Sequence, residues 1–174
     1  MTGDINHALF EGLFRRALTP DAALEGALKA CGYDLRRPVD RYSGQVFAAC
    51  LEATRAHLHP DQPAEEGLRA LGRAFVSGFQ QTILGKVVTT ALPILGPARF
   101  LPRLPARFRS IRTDASVAVE LTGPASATLM FTDAQPLGPF FAGVIEAALR
   151  LAKAERPVVA LQPAPDGYRL DVSW

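Results

Sequence analysis

The side chains able to do chemistry in this 174-residue chain are few and unevenly placed. All three histidines, His7, His57 and His59, fall early, on or beside predicted helices. A nucleophile–histidine relay needs a base held by an orienting carboxylate. No nucleophile elbow, phosphate-cradling glycine loop or HExxH motif occurs. Cys50 and His57 share a predicted helix face, with His59 just beyond. Zinc takes three or four nitrogen or sulfur ligands in a closed tetrahedron. Cys50, however, falls on an apolar stripe, where a thiol behaves as a small hydrophobe. The expectation is no catalytic residue, no metal and no cofactor.

Charge is a stronger signal. Between Glu66 and Asp114 there is no acid, yet Arg69, Arg73, Lys86, Arg99, Arg103, Arg107, Arg109 and Arg112 all fall there. From Arg99 onward the arginines alternate with Phe100, Leu101, Leu104 and Phe108. Bidentate guanidinium contacts from such a run suit an anionic headgroup, a carboxylate or an acidic partner surface. The competing reading pairs them with Glu120, Glu146 or Asp133 and so closes a helix-to-sheet junction. A net charge of +2 and the lack of a recognition motif argue against nucleic acid. Lysine is confined to Lys29, Lys86 and Lys153, an arginine bias that fits a GC-rich genome.

The elements that position these groups change character along the chain. Ile5, Leu9, Phe10, Leu13, Phe14 and Ala17 recur at helical spacing. Thr19-Pro20-Asp21 reads as an N-cap, a first-turn proline and an acid, opening a second helix that stops at Gly32. A third helix starts near Ser43, with Val46, Phe47, Cys50, Leu51, Thr54 and Leu58 as its stripe. A fourth begins around Pro63, with Glu65 and Glu66 near its positive end, and buries Leu68, Leu71, Phe75 and Phe79. Ile83, Leu84, Val87, Val88, Ala91, Leu92 and Leu95 predict a fifth, nearly all-apolar helix at the buried centre of a bundle. A short turn of helix after Gly96-Pro97 ends near Leu104-Pro105.

Thereafter the period becomes two. Val117, Val119 and Leu121 alternate with Ala118, Glu120 and Thr122, and Thr128 to Thr132 returns after Gly123-Pro124. Pro136 to Lys153 reads as a helix, Val158 to Leu161 as a strand, and Tyr168, Leu170, Val172 and Trp174 as one face of a last strand. The expected class is α+β: an N-terminal helical bundle, residues 1–112, on a C-terminal ββαββ four-stranded, mostly antiparallel sheet, residues 113–174, as a single domain.

Phe75, Phe79, Phe100, Phe108, Phe140 and Phe141 gather near the predicted junction, with Gly78, Gly138 and Gly143 leaving room beside them. The junction therefore either encloses a large apolar cavity or is packed solid by phenylalanine. The amphipathic N-terminus does not read as a signal peptide, and the charge-free run from Val87 to Ala98 is too short to span a bilayer. Cys31 and Cys50 read as reduced thiols. The expectation is a soluble, cytoplasmic protein, not transmembrane.

Leu71-Gly72-Arg73-Ala74-Phe75, Pro105-Ala106-Arg107-Phe108-Arg109 and Phe141-Ala142-Gly143-Val144-Ile145-Glu146 resemble the haem–nitric-oxide/oxygen-binding (H-NOX) domain and its relative, the 4-vinyl reductase domain. TRAPP vesicle-tethering subunits are similar in scaffold. The whole chain, with Phe10-Glu11-Gly12-Leu13-Phe14 and Gly32-Tyr33-Asp34, more closely resembles a myxobacterial paralogous family of unknown function. Set beside those relatives, Pro93 to Leu104 holds no proximal histidine and Ser126 to Met130 no Tyr-x-Ser-x-Arg propionate clamp. Nor does the turn Pro163 to Tyr168 carry a zinc-binding cysteine, and Cys31 and Cys50 are not matched to the acylated cysteine of some TRAPP subunits. The resemblance thus implies the scaffold without haem or zinc.

The functional expectation is a non-catalytic regulatory or sensory domain binding a hydrophobic small molecule or acyl chain. Phe75, Phe79, Val88, Leu92, Phe108, Phe140 and Phe141 would line its pocket, and Arg103, Arg107 and Arg109 would hold an acidic end. The alternative is a protein–protein adaptor acting as a homodimer or in a complex.

Overall fold

In the computed structural model, which describes residues 5–174, the chain enters through a two-residue strand β1 (Ile5–Asn6) that pairs with β2 (Arg41–Tyr42). The start of the amphipathic N-terminal stretch, residues 1–4, lies outside the described residues. Asn6 caps α1 (His7–Glu11) by accepting from the Ala8 amide, and the helix widens to π-type turns over Gly12–Ala17. The expected first helix therefore begins two residues late, because Ile5 is held in the strand.

The next helix, α2 (Ala22–Ala30), is capped by Asp21, whose carboxylate accepts from the Leu24 amide at 2.8 Å. Thr19 was the expected cap, but the aspartate sits where its oxygen reaches the free first-turn N–H groups. Gly32, at φ +101°, turns the chain out of the helix, a conformation that favours glycine. Ser43 caps α3 (Gly44–Leu58), and α4 (Ala64–Phe79) follows with Glu65 and Glu66 in its first turn.

Helix α4 is the axis of the helical part because glycines let two neighbours touch its backbone. Gly72 faces the Phe140 carbonyl and Gly143 faces the Arg69 carbonyl, so α4 meets α9 (Gly138–Leu151) with no Cβ between the two helices. Gly78 of α4 meets the Gly12 carbonyl, and Gly12 meets the Phe79 backbone, so α4 and the π-helical segment touch in the same way. Gly78 and Gly143 are thus filled by opposing backbone, and Gly138 by Leu161 and Tyr168, rather than leaving room beside the phenylalanines.

The stretch expected as one buried helix is broken in two. α5 (Ile83–Thr89) and α6 (Leu92–Leu95) are short, and Ile83, Val87 and Ile94 are exposed rather than central. Only one side of these helices has protein to pack on, so their apolar letters divide between core and solvent. From Pro97 the chain is helical again through α7 (Pro97–Phe100), a 3-10 turn (Leu101–Arg103) and α8 (Leu104–Ile111).

Strands β3 (Ser116–Gly123), β4 (Ser126–Thr132), β5 (Val158–Ala164) and β6 (Gly167–Ser173) form one sheet in the order β3-β4-β6-β5, with every neighbouring pair antiparallel. Leu129 lies opposite Leu170, which lies opposite Leu161, so one face of the sheet is apolar and receives α9. The class is α+β, as expected. A single buried cluster runs from Ile5 in the helical part to Val172 in the sheet.

Near the N-terminus the rings of Phe10, Phe14, Tyr33, Tyr42 and Phe47 pack at centroid spacings between 4.3 and 6.4 Å. His7 borders this cluster, and its Nε2 is buried with no hydrogen-bond partner among the described residues. Burial lowers the His7 pKa below 6.5; Glu11 and Asp40 oppose that shift and Arg15 reinforces it. Between the folded and unfolded pKa values the unfolded chain binds the extra proton, so stability falls as pH drops below about 6.5. The denaturation midpoint should decline from pH 7.5 to pH 5, and His7→Gln should flatten that decline. An unchanged slope in the variant would exclude His7 as its source.

Candidate functional site

An apolar cavity of about 80 Å³ lies at the seam between the helical part and the sheet. α4 supplies Phe75, Val76 and Phe79, the two rings stacked at 5.0 Å. α5 and α6 supply Val88, Thr89 and Leu92; the turns from α7 to α8 supply Phe100, Leu104, Arg107, Phe108 and Ile111. Phe131 of β4 and Phe141, Val144, Ile145 and Ala148 of α9 close it, with Leu9 of α1. The Phe108, Phe131 and Phe141 rings lie 5.5–5.7 Å apart, two pairs edge-to-face and one stacked.

Seven of the residues anticipated for a pocket meet here: Phe75, Phe79, Val88, Leu92, Arg107, Phe108 and Phe141. Phe140 points elsewhere, packing on Phe47 and Phe75, because consecutive residues of a helix face different sides. Arg103 and Arg109 are exposed and outside the lining. Phe131, Val144 and Ala148 were missed, although the two-residue period of β4 and the helical period of α9 mark them as inward-facing.

The lining is chemically quiet. The Thr89 hydroxyl donates to the Gly85 carbonyl of its own helix at 2.8 Å. Arg107 is the one charged group on the lining; among the described residues it has no ion pair. A guanidinium beside an apolar void would attract a carboxylate or phosphate.

The arginine run does not act as one patch. Arg112 turns inward, fully buried, and donates to Asp133 at 2.7 and 3.1 Å and to Asp114 at 2.7 and 2.9 Å. Its guanidinium carbon sits 5.8 Å from both the Phe108 and Phe141 ring centres. Burial opposes the charge, but the hydrogen bonds and fields of the two aspartates outweigh it and raise the Arg112 pKa. Asp133 also accepts from the Gln135 amide at 3.0 Å and from the Tyr168 hydroxyl at 3.4 Å. Burial drives the Tyr168 pKa well up, so this phenol stays neutral. Arg73 pairs with Glu146 at 3.3 Å and Arg69 donates to the Val159 carbonyl at 2.7 Å. Junction-closing thus accounts for Arg69, Arg73 and Arg112.

The other candidate chemistry is dispersed. Cys50 is buried with its thiol pKa pushed up to about 12 by burial and by Cys31. His57 Nε2 lies 3.1 Å from the Asp21 carboxylate on the surface. Among the described residues no three histidines, cysteines or acids converge on a metal position. No helix among them is long and apolar enough to cross a membrane.

This element order, with its four-stranded antiparallel sheet, is the fold of solved H-NOX structures. The chain is similar to the S. oneidensis H-NOX protein in its Fe(II)NO state, with a TM-score of 0.73 over 97% of this chain and 98% of that one at 11% identity. It matches the unliganded Fe(II) H-NOX protein of K. algicida at 0.69, over 99% and 96% of the chains and 13% identity. A third structure, from work on haem redox potential and porphyrin distortion, matches at 0.72 over 98% and 100% at 14% identity. Such identities show a shared fold and nothing finer. By sequence, residues 5–174 match the DUF2378 family of proteins of unknown function, and the chain belongs to that family. No curated protein sequence matches it.

The lining does not fit a haem, the group that the third structure concerns. Iron needs an axial nitrogen, sulfur or oxygen donor, and none of the lining residues is a histidine, cysteine, methionine or tyrosine. The volume of about 80 Å³ is also several times too small for a porphyrin.

Proposed function

We propose that the chain is a non-catalytic sensory or regulatory domain that binds a small hydrophobic molecule, without haem, in the seam cavity. The observation that carries this reading is the lining: sixteen residues without a charge surround the void, with the Arg107 guanidinium as the one charge among them. The H-NOX fold supports a ligand role, since proteins of that fold are solved with a ligand state of their iron named.

Size narrows the ligand. An engineered apolar cavity of about 150 Å³ takes up benzene, so about 80 Å³ admits only a short hydrocarbon group. An acyl chain enters only if a wall moves outward. The wall fit to move is α5–α6, whose helices have 7 and 4 residues, too short to hold themselves helical without packing.

Calorimetric titration with straight-chain carboxylates from butanoate to decanoate tests the reading. Each buried methylene contributes about 0.8 kcal/mol, roughly fourfold in affinity, until the void is full. Affinity should climb with length and then level, and Arg107→Gln should weaken the acids while sparing the matching alcohols. Ala148→Val, which narrows the void, should lower the length at which affinity levels. Affinity independent of chain length would overturn the proposal.

A further inference from the structure

The helices that wall the cavity carry an unusual outer surface. Ile83, Val87 and Ile94 are 88%, 62% and 85% exposed, and Ile83 and Val87 stand one turn apart on α5. Single exposed aliphatic residues are ordinary, but a cluster of large ones marks an interaction surface.

Ile83 and Val87 share a groove with Asp40 and the Glu11–Arg16 pair, and unpaired cations lie on and beside the same helices. Lys86, Arg99, Arg103, Arg107 and Arg109 are exposed and form no ion pair with the described residues. Arg99, Arg103 and Arg107 recur every fourth residue along the unbroken helical turns from Pro97 to Ile111 and so form a row. That row adjoins α5–α6, because Arg107 and Leu104 border the same cavity as Val88 and Leu92. Of the eight cations that fall between Glu66 and Asp114, these five are the exposed ones; Arg69, Arg73 and Arg112 are held by the Val159 carbonyl, Glu146 and the Asp114–Asp133 pair. The unpaired cations of the row thus stand beside the helices that bear the exposed aliphatics.

We propose that this face seats the protein on an anionic lipid surface. Ile83, Val87 and Ile94 enter the boundary between headgroups and acyl chains, and Lys86 with the arginine row meets the lipid phosphates. Protruding aliphatic tips flanked by cations are the pattern of interfacial helices, and a fluid sheet of phosphates matches a row of cations without needing a shaped complement.

Cosedimentation with vesicles of phosphatidylcholine alone, or with roughly 30 mol % phosphatidylglycerol, tests this. The anionic vesicles should bind at least tenfold more protein. Raising NaCl from about 0.1 M to about 1 M shortens the screening length from about 10 Å to about 3 Å and should release most of it. Ile83→Asp/Ile94→Asp and, separately, Arg99→Glu/Arg103→Glu should each reduce binding about tenfold. These side chains are exposed and outside the cavity lining, so the melting temperature and carboxylate binding should stay as in the wild type. Equal binding to both vesicle types, or variants that bind as well as the wild type, would overturn the proposal. So would a dimer in light scattering that Ile83→Asp/Ile94→Asp dissolves, since a second copy would then cover the face.

Discussion

Replacing Arg112 by methionine should destabilise the protein by about 3–5 kcal/mol, the usual cost of leaving a buried charge without its partner. Asp133 is the group left behind: its side chain is 1% exposed, and among the described residues only the Gln135 amide and the distant Tyr168 hydroxyl would still reach it. At roughly 2–4 °C per kcal/mol for a chain of this size, the melting temperature should fall by about 6–20 °C. Asp114→Asn should cost much less, because Asp114 is partly exposed and water replaces its lost contact. Arg112→Met combined with Asp133→Leu should recover much of the loss, since removing a whole buried pair is often close to neutral. Three variants with equal losses would contradict the view that Asp133 is the costly orphan. The stakes are architectural: the Arg112 amide bonds to the Phe108 carbonyl, its backbone bridges to Ile5, and its side chain reaches the end of β4. One residue thereby ties the first strand, the last turn of α8 and the sheet together.

The second large effect lies at the crossing of α4 and α9. A methyl group on Gly143 would meet the Arg69 carbonyl, and one on Gly72 the Phe140 carbonyl. Backbone cannot rotate away as a side chain can, so the helices must separate and loosen the packing along their length. Gly143→Ala should therefore cost at least about 2–3 kcal/mol, the upper part of the range for overpacking. Gly72→Ala should behave alike. The double variant should cost less than the sum, because helices parted by one methyl group have already made room for the other. Strictly additive losses in urea denaturation would mean that the two contacts relax separately.

These sites show what the residue letters disclosed and what they did not. Period and punctuation carried the elements: Gly32 and Ser43 end and start helices where expected, and the alternation of Tyr168, Leu170 and Val172 gives the buried face of β6. The paired strands β1 and β2 were invisible, because two residues are too few for any period. The α5–α6 stretch misled for a related reason. A run that is apolar all round contains no information about which side meets solvent, and here the outer side stays open. Glycines misled too: absent side chains can mean space or contact, and only the path of the opposing helix decides. Among the arginines, Arg112 and its neighbours look identical in sequence. Their different fates follow from where Asp133 and Glu146 arrive after the chain has folded back.

Seven of the seventeen residues that line the cavity were legible in that same sense. Phe75, Phe79, Phe108 and Phe141 were expected near one another, and they do border one void. Its volume was not, since tens of cubic ångströms depend on rotamers and helix offsets that no pattern encodes. That volume now constrains the ligand more tightly than the lining does.

Diffraction from crystals held under xenon probes the seam cavity itself, because xenon enters voids that are apolar and closed to ordered water. A xenon atom is expected among Phe75, Leu92, Phe108 and Phe141, and its loss in Ala148→Val. A seam without xenon while the atom binds elsewhere, or one filled by ordered water, would contradict that expectation.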